Sequence, residues 1–231
     1  MSRADELRAI RHEAYKVGSL DRADGSKQEI FPHTLHPEDC DFLRDRIAEL
    51  NPLRTLEIGC ATGLSTLALF EGCLAAGSAP AHTIIDPYLR AGWGSASLVL
   101  LERTGLLPGI TFDERESVVA LGDYMGRKPR PAFDFAFIDG CHWFECALTD
   151  LWLTSRLLAP GGVIAIDDLW MPAIKRALEY AAGNLGLEIT DVRSRGGKDR
   201  IAYLRVASDA NTRDWRHFED FKLVIGLPHS D

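Results

Sequence analysis

Residues 54–69 read RTLEIGCATGLSTLAL and join a short apolar run to a run with helical periodicity. Between the two runs lie Gly59, Ala61 and Gly63, small residues that let a ligand approach the backbone closely. The helix that follows would offer its N-terminal N–H groups to a ligand oxygen. The stretch therefore predicts a strand, a loop and a helix. The loop either binds a ligand or is only a tight turn.

Short β-like runs alternate with helical runs after residue 53. Strands are predicted at 54–58, 82–86, 110–114, 133–139 and 162–168, and helices at 64–76, 95–105, 117–125 and 144–158. This alternation is typical of a parallel sheet with helices on both faces. Two later runs, LEITDVRS and RIAYLRVA, predict a hairpin across RGGKD. We therefore expect a Rossmann-like, doubly wound α/β fold with seven strands, mostly parallel, and an antiparallel last strand.

The two ends of the chain show different patterns. Residues 1–50 are predicted to form a helical cap, with apolar residues at helical spacing. These positions are Leu7, Ile10, Ala14 and Val17, followed by Cys40, Leu43, Ile47 and Leu50. The segment between them, 18–34, is predicted to be a loop. Residues 51–208 then form the α/β domain, in which Pro160 and Gly161 are expected to stop a helix before the last parallel strand.

Residues 209–231 form a tail with Trp215, Phe218 and Phe221 at helical spacing. We expect this tail to pack on the body of the protein or on a partner chain. The second arrangement would make the protein a homodimer.

Composition excludes several classes of protein. The formal net charge is −8, which argues against general binding to nucleic acid or anionic membrane, since both need a basic face. No stretch approaches the roughly 18 apolar residues of a membrane span, and the N-terminus lacks the apolar core of a signal peptide. The five cysteines form no C-x-x-C pair. We therefore expect a reduced, cytoplasmic protein.

The glycine loop differs from a dinucleotide fingerprint. That fingerprint reads G-x-G-x-x-G, with an acidic residue about 20 positions further on. This loop reads G-x-A-x-G, the next acid at a strand end, Asp86, lies further away, and Glu57 would repel a pyrophosphate. A nicotinamide-dependent oxidoreductase is therefore disfavoured.

LEIGCATGLSTLAL resembles motif I of class I S-adenosylmethionine-dependent methyltransferases, hydrophobic-E-x-G-x-x-x-G, with Ala61 in place of the usual middle glycine. IIDPY, residues 84–88, resembles the end of the second strand in that family, where an acid accepts hydrogen bonds from both ribose hydroxyls. The resemblance therefore implies S-adenosylmethionine as cofactor and gives the ribose role to Asp86, whose carboxylate has two acceptor oxygens. The alternative for Asp86 is a turn or helix-capping aspartate before Pro87.

The resemblance also implies a set of cofactor contacts in the loop, at the second strand end and beyond. These residues are Glu57, Gly59, Cys60, Ala61, Thr62, Gly63, Ser65, Asp86, Pro87, Ser117, Asp139 and His142. Ser117 is placed near the adenine because it follows the third strand. Trp93 could stack on adenine, gate the site or only pack.

Residues 133–169, FDFAFIDGCHWFECALTDLWLTSRLLAPGGVIAIDDL, resemble the small-molecule branch of O-methyltransferases, which includes catechol and sugar O-methyltransferases. The resemblance implies a divalent metal, Mg²⁺, on Asp139, Asp167 and Asp168. Three carboxylates at neighbouring strand ends would repel one another unless a cation compensated them. In the alternative, Asp139 orders its loop, Asp168 caps the next helix and no ion binds.

The catalytic residues implied by the resemblance are Asp139 and His142. His142 can take the proton of the acceptor as a general base, or can only contact the cofactor or loop, since a metal would itself lower the pKa of the attacking hydroxyl. A zinc site on Cys141, His142 and Cys146 lacks a fourth ligand and the usual spacing.

The implied function is transfer of a methyl group from S-adenosylmethionine to a hydroxyl of a small molecule, assisted by a divalent metal. Two alternatives remain: a non-catalytic module that binds the cofactor, and an N-methyltransferase without a metal. Acceptor contacts are expected from His33, His36 and residues 169–172, because loops above a sheet carry specificity. The basic turn 193–200 is interpreted as a solvated hairpin tip or, alternatively, as a contact to an anionic substrate.

Overall fold

Residues 1–207 and 214–220 are described by the computed structural model, which divides into two units at the boundary between Glu116 and Ser117. The first unit contains, in chain order, α1 (Arg3–Val17), β1 (Ser19–Asp21), β2 (Lys27–Glu29), α2 (Pro37–Leu50), β3 (Arg54–Ile58), α3 (Leu64–Ala75), β4 (Ala81–Ile85), α4 (Ala96–Arg103) and β5 (Ile110–Asp113). The predicted strands and helices of this unit are therefore present, with ends that shift by one or two residues.

The core of the first unit is the parallel ladder β5-β4-β3 with helix α3. From Thr55 to Ile58 every residue of β3 is buried, as in a strand covered on both faces. Helix α3 is buried from Leu64 to Cys73, because α1 and α2 pack on it. This packing holds the loop between β3 and α3 on rigid elements.

Helix α1 departs from its predicted core pattern. Val17 is 57% exposed, whereas Arg11 is fully buried. The guanidinium of Arg11 donates to Glu71 Oε2 at 2.9 Å and to Asp41 Oδ1 at 2.6 Å. A buried charge needs such partners, and they come from helices far away in sequence. Periodicity in the sequence therefore could not place Arg11 inside.

The segment 18–34, predicted as a loop, contains the antiparallel hairpin β1–β2. Each strand has three residues, and Gly25 in the turn has φ 83°. Strands of three residues are too short for an alternating pattern to be recognised, which explains why the sequence does not reveal them.

The second unit contains, in chain order, α5 (Ser117–Gly126), β6 (Phe133–Ile138), α6 (Phe144–Ser155), β7 (Leu158–Ile166), α7 (Pro172–Asn184), β8 (Leu187–Arg195) and β9 (Lys198–Val206). Its strand order is β6-β7-β9-β8, with β6 and β7 parallel and β9 antiparallel to both of its neighbours. The seven-stranded, mostly parallel sheet and the antiparallel last strand are thus confirmed. Within the described part of the chain, no helix combines the length and apolarity that crossing a bilayer demands.

Strand β7 begins four residues earlier than predicted. The expected helix stop at Pro160 and Gly161 lies inside the strand, where Gly161 has φ 79° and the register with β6 shifts between Phe133 and Phe135. A strand with such a register shift can contain proline and glycine.

Part of the predicted tail is described. Residues 214–220 contain a turn at Trp215 and Arg216 and no helix, and they contact α7. The Asn184 side chain donates to Glu219 O at 2.9 Å and accepts from Glu219 N–H at 2.8 Å. The ring of Phe218 lies 6.3 Å from that of Tyr180. Phe221 lies outside the described residues.

Candidate active site

The glycine loop runs from Gly59 to Gly63 between β3 and α3. Three of its residues have positive φ, namely 84° at Gly59, 44° at Ala61 and 82° at Gly63. Glycine adopts these left-handed backbone angles more readily than other residues, because glycine has no Cβ. The spacing of small residues therefore reflects the backbone conformation of the loop, and Ala61 adopts that conformation despite its methyl group.

We expect Gly63→Ala and Ala61→Gly to change the stability of the protein by different amounts. A Cβ on Gly63 would lie 3.1 Å from Ser97 Cβ. Gly63→Ala should therefore lower the free energy of unfolding by about 1–3 kcal/mol, because of this contact and the left-handed backbone. In Ala61→Gly, relief of strain offsets the greater freedom of the unfolded chain, so the change should stay within about 1 kcal/mol. Urea denaturation measures both, and equal losses in the two variants would contradict this expectation.

Asp86, directly after β4, holds the loop through its carboxylate. Its Oδ2 accepts from Cys60 N–H at 3.0 Å and Ala61 N–H at 2.9 Å, and its Oδ1 accepts from Tyr88 N–H at 2.8 Å. The residue is 3% exposed. A carboxylate has about four acceptor positions, so one remains for a ribose hydroxyl. The ribose role of Asp86 stays a prediction, and its role in ordering the loop is an observation.

Glu57 lies in a buried polar network at the end of β3. Its carboxylate accepts from the hydroxyls of Ser65 and Thr66, and lies 3.1 Å from His82 Nε2. The other nitrogen of His82 lies 2.8 Å from Thr55 Oγ1. Glu57 and Ser65 are thus hydrogen-bonded to other protein groups in the structure. These hydrogen bonds fix the first turn of α3, which follows the loop. Sequence reasoning missed His82 and Thr66, because nothing local marks them as partners of Glu57.

Other residues predicted at the cofactor lie in both units. Cys60 and Thr62 are buried, and burial raises the pKa of the Cys60 thiol well above its usual value. Ser117 begins α5 in the second unit. Each remains a predicted contact.

The second unit brings its predicted site residues together where β6 and β7 end. Ile138 and Ile166 are register partners, and Asp167 N–H donates to Ile138 O at 3.0 Å. Asp139 and Asp168 follow these strand ends. Together with His142, each of them offers a ligand atom within 4.8 Å of the others. Asp167 lies beside this set but is not a member of it.

Asp168 is held from two sides. Its Oδ1 accepts from Trp170 Nε1–H at 2.7 Å, and its Oδ2 lies 2.9 Å from His142 Nε2. Its φ is 61°, a left-handed conformation in which aspartate is several times more common than most residues. Asp168 lies beyond the end of β7, where side chains need not alternate. Its carboxylate therefore need not point to the side opposite that of Asp167.

The charges of this cluster shift the pKa values of its members. Hydrogen bonding to Asp139 and to Asp168 raises the pKa of His142 to about 10. Burial, with the charges of Asp139 and Asp168, raises the pKa of Asp167 well above its usual value. The hydrogen bond from His142 lowers the pKa of Asp168, although burial opposes it. This shift favours the protonated imidazole, which can donate a hydrogen bond to Asp168.

These residues fit a hard divalent cation. Carboxylate oxygens, which Asp139 and Asp168 provide, are the ligands that such ions prefer. Burial and the charges of Asp139 and Asp168 raise the pKa of Asp167, and a bound cation would oppose this rise. Cysteine is absent from the cluster found among the described residues, and Cys141 and Cys146 are free thiols.

The residues expected at the acceptor have partners in the first unit. The rings of His33 and Trp93 are in edge contact, with centroids 5.4 Å apart. His36 is the N-cap of α2 and its ring accepts from Glu38 N–H at 3.4 Å. Trp93 therefore has a packing partner, and a role for either histidine at the acceptor stays a prediction.

The chain is similar to known methyltransferases in sequence. Residues 56–169 match the family model described as Methyltransferase domain. A caffeoyl-CoA O-methyltransferase of Populus kitakamiensis is 29% identical over 144 residues, which are 60% of this chain and 56% of that protein. The chain thus spans little more than half the length of this curated relative.

Solved structures share the fold. An O-methyltransferase from Bacillus cereus in complex with SAH has a TM-score of 0.64 at 17% identity, covering 88% of this chain and 90% of that one. The O-methyltransferase TomG from Streptomyces achromogenes, in complex with SAM, has a TM-score of 0.63 at 16% identity, covering 87% and 88%. Over residues 56–169 the chain thus resembles class I S-adenosylmethionine-dependent methyltransferases, and it shares the fold of these solved O-methyltransferases.

Proposed function

We propose that the protein transfers the methyl group of S-adenosylmethionine to a hydroxyl of a small molecule, with help from a divalent cation. The observation that carries this proposal is the cluster of Asp139, His142 and Asp168 at adjacent strand ends. A protein that only bound the cofactor would need no such cluster. The similar proteins include a caffeoyl-CoA O-methyltransferase and O-methyltransferases in complex with SAM or SAH, which supports the same reaction.

The first unit would bind the cofactor. Asp86 keeps Cys60 and Ala61 in the conformation that leaves the loop open to a ligand, and retains an acceptor position for a ribose hydroxyl. Glu57 fixes the start of α3 through Ser65 and Thr66. The residues of the loop would therefore act by positioning, which supplies much of the rate in a displacement between two bound molecules.

The second unit would activate the acceptor. Asp139 and Asp168, with Asp167 beside them, would hold the metal, which when bound lowers the pKa of a coordinated hydroxyl. His142 would donate to Asp168 and orient it, since its raised pKa keeps it protonated near neutral pH. This assigns His142 a contact role in place of the role of general base.

The direct test is to incubate the protein with S-adenosylmethionine, Mg²⁺ and panels of catechols, sugars and amines, and to measure S-adenosylhomocysteine and methylated product by mass spectrometry. We expect O-methylated product that disappears with EDTA and returns with excess Mg²⁺. Methylation of amines alone, unaffected by EDTA, would instead establish N-methylation.

Trp170→Phe tests how Asp168 is oriented. The substitution removes the N–H donor 2.7 Å from Asp168 Oδ1 but keeps an aromatic ring. Because outer partners orient metal ligands, we expect the apparent affinity for Mg²⁺ to fall about tenfold. Titrating activity with Mg²⁺ measures this, with Trp152→Phe on α6 as the matched control. Equal affinities in the two variants would show that the indole N–H has no such role.

We further propose a cytoplasmic location and a small molecule as the only partner that the reaction requires. The five cysteines are free thiols, which supports a reducing compartment. The net charge of −8 offers no general attraction to nucleic acid.

A further inference from the structure

We infer that Lys198 and Arg200 form a subsite for an anionic group, a carboxylate or a phosphate, on the methyl acceptor. This inference names the class of acceptor and so rests on the proposed function. It concerns the hairpin β8–β9, whose role the proposed reaction leaves open. Every residue that carries it belongs to the second unit.

The two cations share one face of β9. Side chains alternate along a strand, so residues 198 and 200 point to the same side. Asp199, between them, points to the other side, where the Ser194 hydroxyl donates to its carboxylate. The local acid therefore does not neutralise the two cations on their own face.

Trp170 connects this face to the candidate metal cluster. Lys198 Nζ lies 5.4 Å and Arg200 Cζ 5.8 Å from the centre of its ring, within the range of cation–π attraction. The indole N–H of the same side chain donates to Asp168 Oδ1. Backbone pairing adds a second link, since Leu169 N–H donates to Arg200 O at 3.0 Å. The positive charges are thus held one side chain away from a proposed metal ligand.

The two cations differ in what they contact. Arg200 already acts on the acidic cluster, because its charge opposes the rise in the pKa of Asp167 and contributes to the lowered pKa of Asp168. Lys198 is exposed and makes no ion pair within residues 1–207 and 214–220. Its charge therefore remains available to a ligand.

Charge complementarity identifies the ligand. The hairpin carries Arg193, Arg195, Lys198 and Arg200 within eight positions, on a chain whose net charge is −8. An anionic small molecule would be repelled by the rest of the molecule, and a local group of cations would attract it to this place. Trp170 is 44% exposed, and its indole offers an apolar surface to the body of such an acceptor. An acceptor with a hydroxyl near an anionic group satisfies both features.

Binding of two matched probes tests the inference. We would measure the dissociation constants of 3,4-dihydroxybenzoate and of its neutral methyl ester by calorimetry, with S-adenosylhomocysteine and Mg²⁺ present. The variants are Lys198→Gln, Lys198→Arg and, as a matched control, Lys128→Gln on the exposed loop between α5 and β6. Inorganic phosphate, added as competitor, separates a phosphate-binding from a carboxylate-binding subsite.

In the wild-type protein we expect the anionic probe to bind about five to ten times more tightly than the ester. Lys198→Gln should remove most of this preference, and Lys198→Arg and Lys128→Gln should keep it. Equal affinity for the two probes, binding of neither, or a preference that survives Lys198→Gln would overturn the inference. Tighter binding of the anionic probe without methyl transfer to it would contradict the proposed function but leave the subsite established. Methyl transfer to both probes, bound with equal affinity, would support the proposed function and overturn the subsite.

Discussion

Asp139→Asn is expected to lower kcat for methyl transfer by about a hundredfold or more. The substitution removes one negative charge from the cluster in which Asp139, His142 and Asp168 offer ligand atoms within 4.8 Å of one another. An amide is a poorer ligand for a hard cation, so the Mg²⁺ concentration required for half-maximal activity should also rise. Steady-state kinetics across a Mg²⁺ titration measures both effects.

The control for Asp139→Asn is Asp123→Asn, which removes an exposed carboxylate on α5 that pairs with Arg127. We expect this variant to have the activity and Mg²⁺ dependence of the wild type. Binding of S-adenosylhomocysteine should change by no more than a few-fold in either variant. Full activity of Asp139→Asn, without dependence on Mg²⁺, would contradict the proposed role of the cluster.

Asp86→Asn is expected to weaken binding of S-adenosylhomocysteine by about thirtyfold or more. The carboxylate accepts hydrogen bonds from three backbone N–H groups, those of Cys60, Ala61 and Tyr88. An amide has only one acceptor oxygen, so at least one backbone donor would face the NH₂ group. Loss of a hydrogen bond to a charged group costs about 1.5–3 kcal/mol, and here it would also release the loop. Calorimetric titration of the purified variant measures the affinity.

Glu114→Gln provides the matched control, because it changes an exposed carboxylate that pairs with Arg90 in the same unit. Its affinity for S-adenosylhomocysteine should equal that of the wild type. Thermal unfolding adds a second readout, and we expect a lower melting temperature for Asp86→Asn alone. Unchanged affinity in Asp86→Asn would show that this carboxylate neither shapes the loop for the cofactor nor contacts it.

The strands and most helices could be predicted from sequence because local patterns specify them. Strand β3 is short and contains Leu56 and Ile58, and the small residues of the following loop match the three positive φ values of that loop. Helix α7 was not predicted, although Ile174, Ala177, Leu178 and Ala181 recur at helical spacing and are buried. The hairpin β1–β2 was predicted as a loop because strands of three residues are too short to carry a periodic signal.

The contacts of the site depend on tertiary structure and were less predictable. The motifs indicated Asp139 and Asp168 through their positions after strands, but not that Trp170 and His142 hold the Asp168 carboxylate. The burial of Arg11 likewise depends on Glu71 and Asp41, which are separated from it by 60 and 30 residues. A polar side chain contributes no periodicity, so its partners become known only when the chain is folded.

The most direct test of the central claim is a calorimetric titration of the wild-type protein with S-adenosylhomocysteine, followed by NADH as a comparison. The proposed cofactor role of the loop and Asp86 predicts saturable binding of S-adenosylhomocysteine at one site per chain and no binding of NADH. The absence of heat with S-adenosylhomocysteine, or saturable binding of NADH in its place, would contradict it.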